Sequence, residues 1–285
     1  MKILVTGTNG QVGHALMQEL TEHELIGLTR QDCDLTKPDQ IKQVIEQHQP
    51  HLIINPAAYT KVEQAEDEPE LAFQINRDAP RVMAEKAREY NIPFIHFSND
   101  YVFNGEKKEA YVEDDPTHPL GVYGQSKCAG EEAIQEVRGL TYIFRTSWVY
   151  SSIGQNFFLT MKKLSQERDE LKVVADQFGV PTSNEFIAEQ IKKIIPQLHD
   201  NNIGVYHLVP DGSCSWYEFA KQIIGQTNPQ FNLKNLHAIT TDEFLTRARR
   251  PSNSCLLNQK VRDTFMLELD DWQSVFLNFL KQING

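Results

Sequence analysis

Short apolar runs alternate with amphipathic stretches through the first half of the chain. The apolar runs lie at residues 2–6, 25–28, 51–54, 92–97 and 142–144, and their length suits buried parallel strands. Between them, apolar residues recur at helical spacing, and the longest such stretch covers residues 69–90. This alternation of strand and helix predicts an α/β fold, a doubly wound parallel sheet of the Rossmann type with helices on both faces.

A glycine-rich turn follows the first apolar run directly. Gly7, Gly10 and Gly13 are spaced as GxxGxxG, and Gln11 and Val12 stand where the first helix begins. Glycine lets the backbone approach a ligand closely, and the free N–H groups of a helix start attract an anion. A glycine triplet also suits an ordinary tight turn, but its place after a strand and before a helix predicts a dinucleotide phosphate site.

Polar residues follow the ends of several predicted strands, where ligands of parallel sheets bind. Arg30 lies just past the second strand, where arginine suits the 2′-phosphate of NADP and an acidic residue suits NAD. A solvated surface arginine is the alternative, and Asp34 could lie near the adenine or in an exposed turn. Ser98, Asn99 and Asp100 follow the fourth strand. We therefore expect NADPH as the cofactor at this edge of the sheet, with NADH as the alternative.

A tyrosine and a lysine four positions apart stand at the start of a later helix. Tyr123 and Lys127 share one face of that helix, because four positions make about one turn. A nearby cation favours the phenolate and is expected to lower the pKa of the tyrosine, which can then protonate an oxygen that gains charge during a reduction. Tyr217 and Lys221 repeat the spacing. No polar strand end precedes this second pair, so we interpret Tyr217 as partly buried and Lys221 as solvated.

Composition narrows the class of function. The 285 residues suffice for one large domain or two smaller ones, and 40% of them are hydrophobic. A net charge of −11 argues against general binding to nucleic acid, so a phosphate site must be local. The four cysteines form no CxxC pair, which predicts reduced thiols in a cytoplasmic protein. No apolar stretch reaches the roughly 18 residues of a membrane span, and we expect no secretory segment.

Six longer motifs narrow the interpretation further. They are S-x-D-Y-V-F-x-G at 98–105, Y-G-x-x-K at 123–127, R-T-S-W-V-Y at 145–150, D-Q-F-G-x-P-T at 176–182, G-x-Y-H-L at 204–208 and A-R-R-P-x-N-S at 248–254. With them the whole chain resembles the dTDP-4-dehydrorhamnose reductase family, within the extended short-chain dehydrogenase/reductase superfamily. Together these motifs are far more specific than a Rossmann fingerprint.

The resemblance implies an activity and roles for particular residues. The activity is reduction of the 4-keto group of dTDP-4-dehydro-β-L-rhamnose by a nicotinamide hydride, the last step of dTDP-L-rhamnose synthesis. Tyr123 would protonate the nascent oxyanion, and Lys127 would lower the tyrosine pKa and hold the nicotinamide ribose. The predicted cofactor-binding residues are Gly7, Gly10, Gln11, Val12, Gly13, Arg30, Asp34, Leu35, Ala58, Tyr59, Thr60, Tyr123 and Lys127. The predicted substrate-binding residues are Asn99, Asp100, Trp148, Arg249 and Arg250, although the arginine pair also suits a solvated turn.

Asn99 departs from the family pattern, which carries threonine there. The family's hydroxyl hydrogen-bonds the reacting oxygen, and an asparagine amide can also donate, with altered geometry. Asn99 is therefore kept as a predicted catalytic residue beside Tyr123 and Lys127, whereas Ser98 should point to the opposite face of the strand. Some family members bind magnesium through acidic residues at a dimer interface. Ala15 occupies a position where one of those carboxylates is expected, so we predict no metal site.

The expected organisation is a Rossmann domain at residues 1–167 and a smaller α/β domain at 168–285, mainly for the substrate and interleaved with the first. We expect a dTDP-sugar as the partner, with no nucleic acid and no membrane, and a homodimer is compatible with the sequence. Two alternatives stay open. One is an idle dinucleotide-binding relative that regulates another protein, and the other is a reductase of a different 4-keto-6-deoxy nucleotide sugar.

Overall fold

A six-stranded parallel sheet forms the centre of the protein in the computed structural model, which describes residues 1–284. The strands are β1 (Lys2–Thr6), β2 (Glu24–Leu28), β3 (Leu52–Asn55), β4 (Phe94–Asn99), β5 (Thr141–Thr146), β6 (Val149–Tyr150), β7 (Leu171–Val174), β8 (Phe178–Gly179), β9 (Thr182–Ser183), β10 (Gly204–His207), β11 (Cys214–Ser215) and β12 (Leu236–Ile239). The order in the sheet is β10-β5-β4-β3-β1-β2. The chain winds outward in both directions from β1, so the switch point where such sheets bind ligands lies between β1 and β3.

Helices cover both faces of this sheet, and the predicted fold class is confirmed. The helices are α1 (Gln11–Glu19), α2 (Pro38–His48), α3 (Val62–Ala65), α4 (Pro69–Phe73), α5 (Ala79–Glu89), α6 (Val122–Val137), α7 (Phe157–Glu167), α8 (Asn184–Ile194), α9 (Trp216–Thr227), α10 (Gln259–Phe265) and α11 (Trp272–Asn284). One apolar cluster joins α1 and α8 to the sheet, and a second joins α2, α5 and α6 to its other side. Every residue of β3, β4 and β5 is buried, as expected of strands covered on both faces.

The long helix predicted for residues 69–90 contains a π-helical turn. This turn, Gln74–Asp78, separates α4 from α5. Pro80 has no N–H, so it cannot donate to the carbonyl of Asn76 as an α-helix would require. A wider turn accommodates that missing hydrogen bond.

Strands β3 and β4 extend further than the apolar pattern predicts. They end at Asn55 and Asn99, because backbone pairing continues through polar residues. Asn99 still pairs with Thr146 of β5. The register therefore brings polar side chains to the carboxyl edge of the sheet while their backbones stay within it.

A separate apolar core lies among α7, α9 and α11. Its aromatic members include Tyr150, Phe158, Phe219 and Phe276. The parallel pair of β7 and β12 accompanies this core, whereas β10 and α8, also late in the chain, belong to the central sheet and its cover. The boundary between residues 1–167 and 168–285 stays a prediction.

Candidate active site

Tyr123 lies in the first turn of α6, against the carboxyl end of β4. Two glycines allow α6 to come this close to its neighbours. A Cβ on Gly124 would come within 2.2 Å of the Tyr101 carbonyl oxygen, and one on Gly130 within 2.1 Å of the Asn76 carbonyl oxygen. The rings of Tyr101 and Tyr123 meet edge to face, with centroids 5.7 Å apart. These contacts fix the position of the phenol.

Asn99 contacts Tyr123 directly. Its Nδ2 donates to the tyrosine hydroxyl oxygen over 2.6 Å, and its Oδ1 accepts from the backbone N–H of Tyr101 over 3.1 Å. A backbone N–H can only donate, so it fixes the orientation of the Asn99 amide. Asn99 therefore presents only N–H groups to the site. One of them is engaged by Tyr123, and the second is left for another acceptor.

Lys127 is buried, and its Nζ points to the sheet. Nζ donates to the carbonyl oxygen of Phe97 over 2.5 Å and lies 3.3 Å from Nε2 of His96. Burial lowers the pKa of Lys127 to about 8, although Glu131 opposes the shift. The tyrosine contacts Asn99 and the lysine contacts Phe97, so both side chains lie against the carboxyl end of β4.

The expected lowering of the Tyr123 pKa by Lys127 is wrong for this structure. Burial raises the pKa of Tyr123 above its usual value, and the charges of Asp100 and Tyr101 raise it further. The hydrogen bond from Asn99 acts in the opposite direction. Tyr123 is therefore a protonated phenol, which is the form that a proton donor requires.

The glycine-rich turn connects β1 to α1 as predicted. Gly7 has a φ of +60°, a conformation that glycine adopts easily. A Cβ on Gly13 would lie 2.3 Å from the Gly7 carbonyl oxygen, so α1 can pack onto the turn only with glycine there. No side chain caps the helix after Gly10, and the N–H groups of Gln11 and Val12 have no acceptor within the helix. This turn fits the phosphates of a dinucleotide.

A loop after β6 lies beside this turn, and sequence reasoning missed it. The Gln11 side chain holds the loop, because its Oε1 accepts from Ser151 over 2.8 Å and from Asn156 over 2.9 Å. Asn184 of α8 donates to the Gln11 carbonyl oxygen over 3.1 Å. The contacts that border the predicted phosphate site thus join residues more than a hundred positions apart in the chain. No local sequence signal predicts them.

Residues expected at the adenosine end lie around the end of β2. Arg30 is exposed just past that strand. The Asp34 carboxylate accepts from the Thr36 N–H over 3.0 Å and from its hydroxyl over 2.8 Å, and these bonds lower the pKa of Asp34. Leu35 packs against the apolar cluster beneath α2. Asp34 therefore closes a turn, and its contact with adenine stays a prediction.

The segment Ala58 to Thr60 comes after β3, and the side chain of Asn76 holds it in place. Asn76 accepts from the Tyr59 N–H over 2.8 Å and donates to the Tyr59 carbonyl over 3.1 Å and to Ser126 over 2.9 Å. Asn76 thus fastens this segment to α6. Ala58 is half-buried and Thr60 is exposed, so the segment borders the carboxyl edge of the sheet.

Asp100, a predicted substrate contact, is 3% exposed. Its carboxylate accepts from the Ser147 hydroxyl over 3.1 Å. Burial raises the pKa of Asp100 to about 6, although hydrogen bonds from Ser254 and Ser147 favour the carboxylate. Asp100 is thus buried next to Asn99 and held by neighbouring hydroxyls, and its contact with the substrate stays a prediction.

Trp148 lies between two elements of the second half of the chain. Its ring stacks on Trp216 of α9, with centroids 3.4 Å apart, and a Cβ on Gly179 would lie 2.3 Å from its indole. Trp148 has a φ of 45°, a conformation that is strained for a large side chain. Its position is therefore strongly determined by its neighbours. Sequence reasoning missed Trp216, because its contact with Trp148 joins residues that are far apart in the chain.

The predicted arginine pair approaches the site from the C-terminal part of the chain. Arg250 donates to Glu63 of α3 over 2.9 Å, and Glu63 also accepts from the backbone N–H of Ala248. These bonds dock the segment beside α6. Arg249 is exposed and lines a narrow pocket together with Tyr123. The structure thus brings Arg249 and Tyr123 together, whereas Arg250 is engaged by a carboxylate.

The second tyrosine–lysine pair is structural, as interpreted from the sequence. The Tyr217 ring packs against the core around α9, its hydroxyl donates to the Leu236 carbonyl over 3.4 Å, and Lys221 is exposed. That prediction is confirmed.

Within residues 1–284, no helix is both long and apolar enough to cross a membrane. The same residues contain no group of three or more His, Cys, Asp or Glu side chains placed to hold a metal ion.

Comparison with known proteins gives the same family as the motifs. A family model described as the RmlD substrate binding domain matches residues 1–284. The dTDP-4-dehydrorhamnose reductase of Burkholderia thailandensis is 38% identical over 96% of both chains, and that of Escherichia coli K12 is 40% identical over 96% of this chain and 95% of its own.

A solved structure agrees over almost the full length. The crystal structure of dTDP-4-dehydrorhamnose reductase from Bacillus anthracis, in complex with NADP, superimposes with a TM-score of 0.93 at 37% identity and covers 99% of each chain. Sequence motifs, family model and fold thus lead to one result. The chain belongs to the dTDP-4-dehydrorhamnose reductase family.

Proposed function

We propose that the protein uses NADPH to reduce the 4-keto group of dTDP-4-dehydro-β-L-rhamnose, giving dTDP-L-rhamnose. One observation supports the proposal most strongly: Tyr123 is held at the carboxyl edge of the sheet, 2.6 Å from an obligate donor on Asn99 and beside a pocket that contains Arg249. A proton donor, a donor for the oxyanion and a cation for the nucleotide thus occur together in a chain of this family.

The residues present fit the cofactor. The glycine-rich turn carries no side chain at Gly7 and Gly10 and offers uncapped N–H groups, and Arg30 is exposed just past β2, where a 2′-phosphate is expected. When bound, NADPH supplies the hydride that reduces the keto carbon. The related protein from Bacillus anthracis was crystallised with NADP, which supports NADPH as the preferred cofactor.

Tyr123 would give its proton to the oxygen that gains charge. Its raised pKa keeps it protonated until that charge develops, and the Asn99 N–H stabilises the phenolate as it forms. The second N–H of Asn99 can donate to the substrate oxygen, the role that the family's hydroxyl performs. A positioned donor of this kind is worth about 10²- to 10³-fold in rate.

Lys127 and Arg249 would hold the two ligands. In the ammonium form, Lys127 keeps one donor for the nicotinamide ribose after its bonds to Phe97 and His96. Arg249 is the exposed cation available for the diphosphate of the sugar nucleotide, and Trp148 provides an ordered aromatic surface.

An idle regulatory relative is not favoured. Such a protein has no need to hold a buried tyrosine, an amide donor and a lysine around one strand end, because burying polar groups costs free energy. The four cysteines are free and buried, which supports action in the reducing environment of the cytoplasm.

The test is turnover with a defined substrate. Purified protein is mixed with NADPH and dTDP-4-dehydrorhamnose, the loss of nicotinamide absorbance is followed, and the sugar product is identified by mass and NMR. We expect one dTDP-L-rhamnose per NADPH consumed. Binding of NADPH without consumption would support the idle alternative, and consumption only with another 4-keto-6-deoxy nucleotide sugar would correct the substrate.

A further inference from the structure

A buried chain of polar side chains leads from β1 to Lys127. Thr6 Oγ1 lies 2.5 Å from Asn55 Oδ1, and Asn55 Nδ2 lies 3.1 Å from His96 Nδ1. The other ring nitrogen, His96 Nε2, lies 3.3 Å from Lys127 Nζ. Each of these four side chains is at most 2% exposed. Because buried polar groups cost free energy unless they are all paired, the donors and acceptors along this chain must match.

The hydrogen bonds of this polar chain, in the direction that they run in this structure, fit a neutral Lys127. Burial and the neighbouring Lys127 hold the pKa of His96 well below its usual value, so the imidazole is neutral and carries one hydrogen. Asn55 Nδ2 faces Nδ1, which must therefore accept, and the hydrogen lies on Nε2. An Nε2–H can only donate, so Lys127 must receive it on a lone pair.

The same hydrogen bonds, each running in the opposite direction, fit the ammonium form of Lys127. A Lys127 ammonium has donors only, so Nε2 of His96 must accept and its hydrogen must lie on Nδ1. Asn55 must then turn its amide by half a rotation, so that Oδ1 accepts from His96 and Nδ2 donates to Thr6. Amide oxygen and nitrogen are of similar size, so the same heavy-atom positions serve both states.

We propose that Asn55 and His96 are positioning residues for Lys127, and that they couple its protonation to the tautomer of His96 and to the orientation of the Asn55 amide. The catalytic meaning of this coupling rests on the proposed function, because only the ammonium form offers the ribose a charge-assisted donor. Glu131, one turn along α6, faces Lys127 and favours the ammonium, and Tyr123 lies one turn in the other direction.

The hydrogen position on His96 can be measured without turnover. In protein labelled with ¹⁵N-histidine, the ring nitrogen shifts report which nitrogen carries the hydrogen, and His96→Gln identifies the His96 signal. We expect a neutral His96 between pH 6 and 9.5, with its hydrogen moving from Nδ1 to Nε2 around the Lys127 pKa of about 8. Lys127→Met should abolish this change with pH.

His207 is a control in the same spectrum. Its Nε2 lies 3.4 Å from Arg145 Nη1, and its Nδ1 lies 3.1 Å from the carbonyl oxygen of Leu257. A guanidinium has donors only, so Nε2 of His207 must accept and Nδ1 should carry the hydrogen at every pH. A pH-dependent change at His96 alone would therefore point to Lys127.

Asn55→Asp tests the part played by the amide. A carboxylate at position 55 can only accept, so it should hold the hydrogen on Nδ1 and favour the ammonium. We expect the pH at which the His96 hydrogen moves from Nδ1 to Nε2 to rise by about one unit or more. A single His96 tautomer at every pH in the wild type, or an unchanged midpoint in a folded Asn55→Asp, would overturn the proposal. A protein that shows the tautomer change but reduces no keto-sugar nucleotide would count against the proposed function alone.

Discussion

The side-chain amide of Asn99 donates to the hydroxyl oxygen of Tyr123 over 2.6 Å. Since the N–H of Tyr101 fixes the amide oxygen, this bond runs in one direction, and the phenolic hydrogen of Tyr123 is free to point at a substrate. A threonine hydroxyl at this position could donate to the tyrosine or accept from it. We therefore expect asparagine to take the place of the hydroxyl that the family pattern carries here.

Asn99→Thr should change kcat for NADPH oxidation by less than about tenfold, because both side chains can donate to the reacting oxygen. Asn99→Leu, which removes the donor at similar volume, should lower kcat by about 10²-fold or more. The matched control is Ser98→Ala, since the Ser98 hydroxyl is buried and has no hydrogen-bond partner within residues 1–284. A gain well beyond tenfold in Asn99→Thr would show that asparagine is a handicap.

Arg30→Ala should weaken NADPH binding selectively. Loss of one charge-assisted contact to the 2′-phosphate costs about 1.5–3 kcal/mol, or roughly 10- to 150-fold in KM for NADPH. KM for NADH should not change, because NADH lacks that phosphate. Steady-state kinetics with both cofactors measure this, with Arg168→Ala as the control at another exposed arginine. Equal effects on the two cofactors would place Arg30 away from the phosphate.

Gly13→Ala should damage both the fold and cofactor binding. The added methyl would lie 2.3 Å from the Gly7 carbonyl oxygen, so α1 has to move away from the turn. We expect a loss of about 1–3 kcal/mol in the free energy of unfolding and a weaker affinity for NADPH. Gly225→Ala is the control, because the atom nearest to its added methyl is 4.0 Å away. Urea unfolding and NADPH fluorescence titration check both effects.

Asp100→Asn should stabilise the protein more at neutral pH than at acidic pH. Burial raises the pKa of Asp100 from 3.8 to about 6, so the folded state binds more protons than the unfolded state between these values. The stability contribution of this group therefore falls as pH rises through that window, and the penalty is complete above about pH 6. We expect the variant to gain about 1–3 kcal/mol at pH 7.5, and less at pH 5, in urea unfolding. An equal gain at both pH values would contradict this explanation.

The sequence predicted the parts of the site that depend on local pattern. The glycine turn and the first tyrosine–lysine pair follow from spacing and from their place beside strands. The direction of the Tyr123 pKa shift does not follow from local pattern, because it depends on burial and on the charge of Asp100, neither of which has a local signature. The pairing of His96 with Asn55 has no local signal either, because His96 lies inside an apolar run, Asn55 lies just past one, and only the strand register makes them neighbours. Trp216 meets Trp148 only in the folded chain.

We propose above all that Tyr123 delivers the proton to the oxygen of the reduced keto group. The most direct test compares NADPH oxidation with dTDP-4-dehydrorhamnose in the wild type, Tyr123→Phe and Tyr217→Phe, with folding checked by circular dichroism. We predict that Tyr123→Phe stays folded, binds NADPH and loses about 10²- to 10⁴-fold in kcat, while Tyr217→Phe keeps normal turnover. Normal turnover in Tyr123→Phe would contradict the account.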